Sequence, residues 1–196
     1  MVRIVAAAVF SLVLFVLATA PAYSQLELKP GIGINFTGVS KDPQGGESKA
    51  QVGWQIGGTV LYGKKFYGEG GVFYAKKSTE FTSTTANLNF ETGISGLRIP
   101  AMIGYHLLGE EKGAFALRIF GGGSAFIVTS VTGEGLSKDD FESPTWGVFA
   151  GAGVDFLMFF VDLKYEWSLT DVSKLSTVDI GKSRSIFATA GIRMPF

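Results

Sequence analysis

The sequence predicts an all-β protein, an eight-stranded antiparallel up-and-down barrel that spans a membrane. Three observations lead to this fold class. Apolar residues recur with a period of two, short and long connections alternate, and charged residues lie opposite the apolar face. The 27 glycines, spread through 196 residues, are unlike a helix bundle, and the mean hydropathy of +0.29 is high for a soluble domain. The length fits one domain.

The end of the chain, residues 183–196, shows the alternation most completely. One face carries Ile186, Ala188, Ala190, Ile192, Met194 and Phe196. The other face carries Phe187, Thr189, Gly191, Arg193 and Pro195. Successive side chains of a strand point to opposite faces, so this segment is a strand whose apolar face meets either a protein core or lipid.

Seven earlier segments are also predicted to be strands. Their bounds are Leu28–Val39, Ala50–Tyr62, Phe66–Phe81, Leu88–Leu107, Ala114–Val131, Thr145–Phe156 and Phe159–Thr170. The facing of the third strand is ambiguous. We expect a bulge or kink at Pro100, because proline is awkward in a central strand, and an interruption of the fifth strand at residues 121–123, which are all glycine.

The connections predict the orientation of the barrel. Polar loops, expected to be long, follow the first, third, fifth and seventh strands at residues 40–49, 82–87, 132–144 and 171–182. Short turns follow the second, fourth and sixth strands at residues 63–65, 109–113 and 157–158. An even number of strands, with short periplasmic turns and longer extracellular loops, is typical of outer-membrane barrels.

Charged residues lie on the face opposite the apolar one. Their position indicates that the apolar face contacts lipid and not a protein core. Hydrocarbon does not accept them, but a small barrel's interior does. The predicted lumen charge network is Glu69, Arg98, Arg118, Asp155, Asp162, Lys164, Glu166 and Arg193. Either these residues pair and plug the lumen, or they line a narrow channel. Eight strands leave an interior just wide enough for side chains, which favours the plug, and inward glycines make room for the long side chains.

Aromatic residues on the apolar face predict two girdles. Trp54 and Tyr62 are eight residues apart, as are Phe159 and Trp167, and ten residues separate Trp146 from Phe156. In tilted strands these spacings are about 20–25 Å, the height of an outer-membrane apolar band. The three tryptophans are assigned to the outer girdle. The inner girdle has Tyr62, Tyr105, Phe156, Phe159 and Phe196. The alternative, a soluble sandwich or lipocalin-like barrel, would need a charged outer face.

Residues 1–24 are predicted to be a cleaved signal peptide that precedes a barrel domain at 25–196. Arg3 supplies the positive charge, and Ile4–Leu17 is an apolar run too short to span a bilayer comfortably. The small residues Ala22 and Ser24 favour cleavage before Gln25. An uncleaved membrane anchor is the alternative.

Three segments resemble the PorT-like family of small outer-membrane β-barrels. They are GISGLRIPAMIGYHL, GVFAGAGVDFLMFFVDLKYEWSLTDV and SRSIFATAGIRMPF, and the likeness extends over essentially the whole mature chain. The resemblance implies an eight-stranded barrel domain in the outer membrane of a Gram-negative bacterium. It also implies assembly by the outer-membrane insertion machinery, for which Ile192, Met194 and Phe196 resemble the recognition signal. Members of such families share a location more than an activity.

Composition argues against several function classes. With no cysteine and one histidine, the chain offers neither a disulfide nor a multi-histidine metal site. Its 17 basic and 17 acidic residues cancel, which gives no electrostatic case for a nucleic-acid partner. We expect no cofactor and no enzymatic activity. His106 is interpreted as a residue of the periplasmic rim, and its alternative role is the base of a lipid-modifying barrel enzyme.

The sequence thus predicts an envelope structural or interaction protein with a plugged, charge-paired lumen that presents extracellular loops. A narrow pore for small solutes is the alternative, and a lipid-modifying enzyme is the third hypothesis. The expected partners are outer-membrane lipid, the insertion machinery, and another envelope protein or an extracellular ligand.

Overall fold

The structure, a computed structural model, describes residues 26–39, 46–83, 88–109, 114–132, 143–170 and 183–196. The strands in this part of the chain are β1 (Leu26–Val39), β2 (Gly46–Gly63), β3 (Phe66–Ser83), β4 (Leu88–Leu108), β5 (Phe115–Thr132), β6 (Thr145–Phe156), β7 (Phe159–Ser168), β8 (Ser183–Ile192) and β9 (Met194–Pro195). The two-residue β9 continues β8 beyond Arg193. When β8 and β9 are counted as one strand, the barrel has eight strands.

Antiparallel pairing between neighbours closes the barrel. Each strand from β1 to β7 pairs with the next strand along the chain, and β8 pairs with β1. At this closing seam Ile34 lies opposite Ala188, and Ile32 lies opposite Ala190. The Phe196 amide donates to the Leu26 carbonyl at 2.9 Å. The predicted all-β, eight-stranded antiparallel barrel is therefore confirmed.

As the sequence predicts, side chains alternate along each strand between the outer surface and the lumen. Apolar side chains such as Ile32, Val161 and Phe156 are exposed on the outside, whereas Lys29, Asn35 and other polar side chains are buried inside. The structure also resolves the ambiguous third strand. In β3, the buried side chains include Tyr67, Glu69, Phe73 and Ala75, and the exposed ones include Phe66, Val72 and Tyr74.

The expectation of a long connection after the third strand is wrong. Strand β3 ends at Ser83 and β4 begins at Leu88, so four residues, 84–87, join them, fewer than the six at 109–114. Strand β2 likewise begins at Gly46, inside the segment predicted as a loop. Backbone pairing continues here, as in Gly46 with Ser83, and threonine and phenylalanine in residues 79–83 favour strands.

No bulge occurs at Pro100, and the predicted interruption of the fifth strand is absent. Strand β5 runs through the glycines at 121–123 without a break. The register of β4 is the same on both sides of Pro100, although its pairing with β3 skips from Ala101 to Arg98. Proline has no N–H to donate, and the pairs on either side hold the register. The bulges of β4 against β5 lie instead at Ser95/Gly96 and His106/Leu108.

The described residues contain no helix long and apolar enough to cross a membrane. The predicted signal peptide, residues 1–24, and the loop segments at 40–45, 133–142 and 171–182 lie outside the described residues.

Candidate functional site

The interior of the barrel holds the charged residues predicted for the lumen. Each of the eight has 6% or less of its surface exposed. Three further charged side chains join them, namely Glu27, Lys29 and Lys77. Lys29 shares the inward face of the predicted first strand, so the alternation alone could have placed it in the network. Glu27 was missed because the strand begins earlier than predicted, and Lys77 because the facing of β3 was ambiguous.

Arg118 is at the centre of the larger ionic group. Its Nε donates to Asp155 Oδ2 at 2.7 Å and its Nη2 to Asp155 Oδ1 at 2.8 Å, a bidentate pair. The same Nη2 lies 2.7 Å from Asp162 Oδ1, and Nη1 lies 3.7 Å from Glu69 Oε2. The guanidinium is fully buried. Three strands besides its own, β3, β6 and β7, are thereby connected through one side chain.

Other ion pairs extend this group across the lumen. Lys29 Nζ lies 3.1 Å from Glu69 Oε2 and 3.5 Å from Asp162 Oδ2. Lys164 Nζ lies 3.6 Å from Asp162 Oδ2. Arg193 pairs with Glu27 and places Nη1 3.2 Å from Asp155 Oδ2. We call this set the Arg118 cluster. Its members are the cations Lys29, Arg118, Lys164 and Arg193 and the anions Glu27, Glu69, Asp155 and Asp162.

A smaller group, the Arg98 cluster, consists of Arg98, Glu166, Lys77 and Ser124. Arg98 donates to Glu166 Oε2 from Nη2 at 2.5 Å and from Nε at 3.1 Å. Ser124 Oγ donates to the same oxygen at 2.8 Å, and Lys77 Nζ lies 3.8 Å from Glu166 Oε1. This cluster has two cations for one carboxylate, whereas the Arg118 cluster is balanced.

An aromatic layer separates the two clusters. Met102, Phe120 and Phe149 pack together inside the barrel. Lys164 Nζ, from the Arg118 cluster, lies 5.9 Å from the centre of the Phe149 ring, and Arg98 Cζ, from the other cluster, lies 5.4 Å from the same ring. Cations over aromatic faces are stabilised by the ring quadrupole. In the described part of the chain, the interior therefore carries two ionic clusters with an aromatic group between them.

Inward glycines make room for these long side chains, as the sequence predicts. A methyl group added at Gly153 would lie 2.9 Å from Arg118 Nη2. One added at Gly151 would lie 3.0 Å from the tip of the Phe120 ring, and one at Gly104 would meet the Tyr67 ring. Each of these glycines is next to a large side chain on a neighbouring strand, so the charges and the glycines form one packing arrangement.

The outer surface is apolar and carries the predicted girdle aromatics. Trp54, Trp146 and Trp167 are each more than 40% exposed. Near the short turns, the rings of Phe66 and Tyr105 lie 4.6 Å apart, and Phe156 pairs with Phe159. Tyr62 is also exposed. An apolar surface around a charged interior reverses the arrangement of a soluble protein. Such a surface is suited to contact with lipid.

Sequence comparison agrees with this geometry. A family model described as the outer membrane protein beta-barrel domain matches residues 10–193. The chain belongs to this family. No curated protein is significantly similar to it in sequence.

Solved outer-membrane barrels share the fold. The outer membrane protein OprG from Pseudomonas aeruginosa is similar with a TM-score of 0.55 and 14% sequence identity, over 88% of this chain and 97% of that one. Neisserial surface protein A is similar with a TM-score of 0.50 and 14% identity, over 87% of this chain and 97% of its own. At 14% identity, these similarities establish only that this chain shares the fold of outer-membrane barrels.

His106 is buried at the short-turn end of the lumen. Its Nδ1 lies 2.8 Å from the Lys64 carbonyl, and its ring centre is 5.0 Å from that of Tyr67. Neither ring nitrogen contacts a carboxylate or a serine hydroxyl in the described part of the chain. The same part contains no group of three or more acidic or histidine side chains able to hold a metal ion. His106 therefore holds the turn at Lys64 through its ring nitrogen. Its surroundings do not resemble the pair of a base and a nucleophile found in an active site.

Proposed function

We propose that this outer-membrane barrel is closed to solutes and acts as an envelope structural or interaction protein through its outward surfaces. The observation that carries the proposal is the filled interior, in which an aromatic layer separates two ionic clusters. The interior of an eight-stranded barrel is just wide enough for side chains to fill. The loops at residues 40–45, 133–142 and 171–182 are then the parts that meet another envelope protein or an extracellular ligand.

The balance of charge supports a structural interior. The Arg118 cluster pairs four cations with four anions, so it favours neither anions nor cations along the axis. Its side chains are almost entirely buried, which leaves no solvated ring of one sign such as a selective pore uses. The network therefore holds the strands in register.

We also propose that the barrel is PorT-like and is exported with cleavage of residues 1–24. In this proposal it resides in the outer membrane of a Gram-negative bacterium, and the insertion machinery assembles it there. What supports the assembly route is the end of the chain, where Ile192, Met194 and Phe196 all project outward. The outer-membrane lipid is then the partner of the apolar surface, with its girdles at Trp54, Trp146 and Trp167 and near the short turns.

In planar lipid bilayers, the wild-type barrel should give no discrete current steps at any salt concentration, because the ionic and aromatic groups fill its lumen. A Phe120→Ala/Phe149→Ala double variant removes most of the aromatic layer and should conduct more than the wild type. This variant shows that the assay detects an opened lumen. Discrete, salt-dependent steps from the wild-type protein would instead favour the narrow pore.

Deletion of Phe196 should lower the yield of folded barrel in the outer membrane several-fold, because the proposed insertion signal loses its terminal aromatic residue. The measurement is the folded fraction in isolated membranes, read from heat-modifiable mobility on gels. Phe159→Ala is the matched control, since this ring is also exposed near the short-turn end but is not terminal. Equal yields for the wild type and the deletion would contradict the signal.

A further inference from the structure

An apolar groove lies on the outer surface along the closing seam of the barrel. It has a volume of ≈ 560 Å³ and lies across β7, β8, β1 and β2, where Ala188 and Ala190 line it together with Ile32, Ile34 and Trp54. The lining also includes Gly33. The interior roles described above do not account for this groove.

The register of the strands explains why the groove is there. Ala188 of β8 lies between Ile34 of β1 and Leu163 of β7, and Ala190 lies between Ile32 and Val161. A row of methyl side chains therefore runs along β8 between two rows of larger, branched side chains. The result is a trough parallel to the strand, of the shape that an extended hydrocarbon chain fills.

A cationic side chain lies beyond the long-loop end of this trough, past the exposed Ile186. Arg184 is exposed and lies four residues before Ala188 on the same face of β8, which is about 13 Å along a strand. Within the described residues it has no hydrogen bond or ion pair. It is directly opposite Trp167 on β7.

An exposed arginine on the lipid face needs an explanation. At the middle of a bilayer it costs about 2–4 kcal/mol, and the cost falls to about 0–1 kcal/mol near the interface. Tryptophan is enriched at the interface, so Trp167 puts Arg184 at the depth of lipid headgroups. A guanidinium at that depth pairs best with phosphate oxygens.

We propose that this groove binds a phosphorylated lipid of the outer leaflet. One acyl chain lies in the trough over Ala188 and Ala190, and a phosphate of the headgroup pairs with Arg184. The inference rests on the proposed outward orientation of the long-loop end, but not on the closed lumen. Conductance and lipid binding can therefore fail independently.

The test uses the full barrel with Trp54 as its only tryptophan, made by Trp146→Phe/Trp167→Phe, in phosphatidylcholine vesicles. Brominated acyl chains quench tryptophan fluorescence on contact, and they are supplied either on phosphatidic acid or on phosphatidylcholine. We expect about fivefold stronger apparent binding of the phosphatidic acid, the effect of one cation near a membrane surface. Arg184→Gln should remove this preference, and Arg184→Lys should keep most of it.

Filling the trough tests the acyl-chain part. Ala188→Leu/Ala190→Leu should weaken quenching by both lipids, whereas Ala150→Leu/Ala152→Leu should not. The control alanines are exposed on the outer face of β6, one strand beyond β7 and outside the lining of the groove. Unchanged headgroup preference in Arg184→Gln would overturn the proposal. It would also be overturned by a concentration-dependent dimer, seen by crosslinking, that the Ala188→Leu/Ala190→Leu change abolishes, because the occupant would then be a second copy of the chain.

Discussion

Replacing Arg118 by methionine should lower the free energy of unfolding of the barrel by about 3–5 kcal/mol. Arg118 is fully buried and contacts Asp155, Asp162 and Glu69, so its loss leaves the cluster with one uncompensated negative charge. A buried charge without a partner is far more costly than an absent ion pair. The measurement is urea unfolding in lipid vesicles, followed by tryptophan fluorescence.

Two further variants separate charge from packing. Arg118→Met/Asp155→Asn restores the charge balance of the cluster. The stability that this double variant loses should be smaller than the sum of the losses in the two single variants. In phosphatidylcholine vesicles, Arg184→Met removes an exposed arginine near the interface and should change stability by less than about 1 kcal/mol. A loss below about 1 kcal/mol for Arg118→Met would indicate a hydrated interior and would favour the pore over the plug.

The facing of most strands follows from the sequence because it depends only on the local period of two. Asp162, Lys164 and Glu166 alternate with Val161, Leu163 and Tyr165, and no other arrangement removes all three charges from lipid. Strand β3 was ambiguous for a local reason too. Its glycines at 68, 70 and 71 have no side chain that would indicate which face is apolar. Neighbouring aromatic residues such as Phe66 and Tyr67 lie on opposite faces.

The ion pairs themselves are not predictable from a local pattern. Lys29 and Glu69 come from β1 and β3, and Arg118 and Asp162 come from β5 and β7, so each pair reaches over an intervening strand. Which charges meet depends on the stagger of every strand around the barrel. The groove at Ala188 has the same origin, because it appears only when the register brings Ile34 and Leu163 beside that alanine.

Replacing Gly33 by alanine should destabilise the barrel by about 3 kcal/mol, at the upper end of the usual cost of overpacking. Gly33 lies in β1 between Gln55 and Thr189, which hydrogen-bond to each other over it at 2.7 Å. An added methyl group would meet the Ala188 carbonyl oxygen and would lie 3.1 Å from Thr189 Oγ1. The carbonyl belongs to the backbone of β8, so relief requires the closing strands to separate.

Two other glycines give the matched series. At Gly31, on the same face of β1, the nearest atoms to an added methyl group are 3.0 Å away or more, so Gly31→Ala should cost less than Gly33→Ala. At Gly68 nothing lies within 4 Å, and alanine there should be neutral or stabilising by about 0.5–1 kcal/mol, since glycine weakens a strand interior. Urea unfolding in vesicles gives the three values. Equal losses at Gly33 and Gly68 would mean that the seam does not limit stability, and that β1 and β8 are free to move apart.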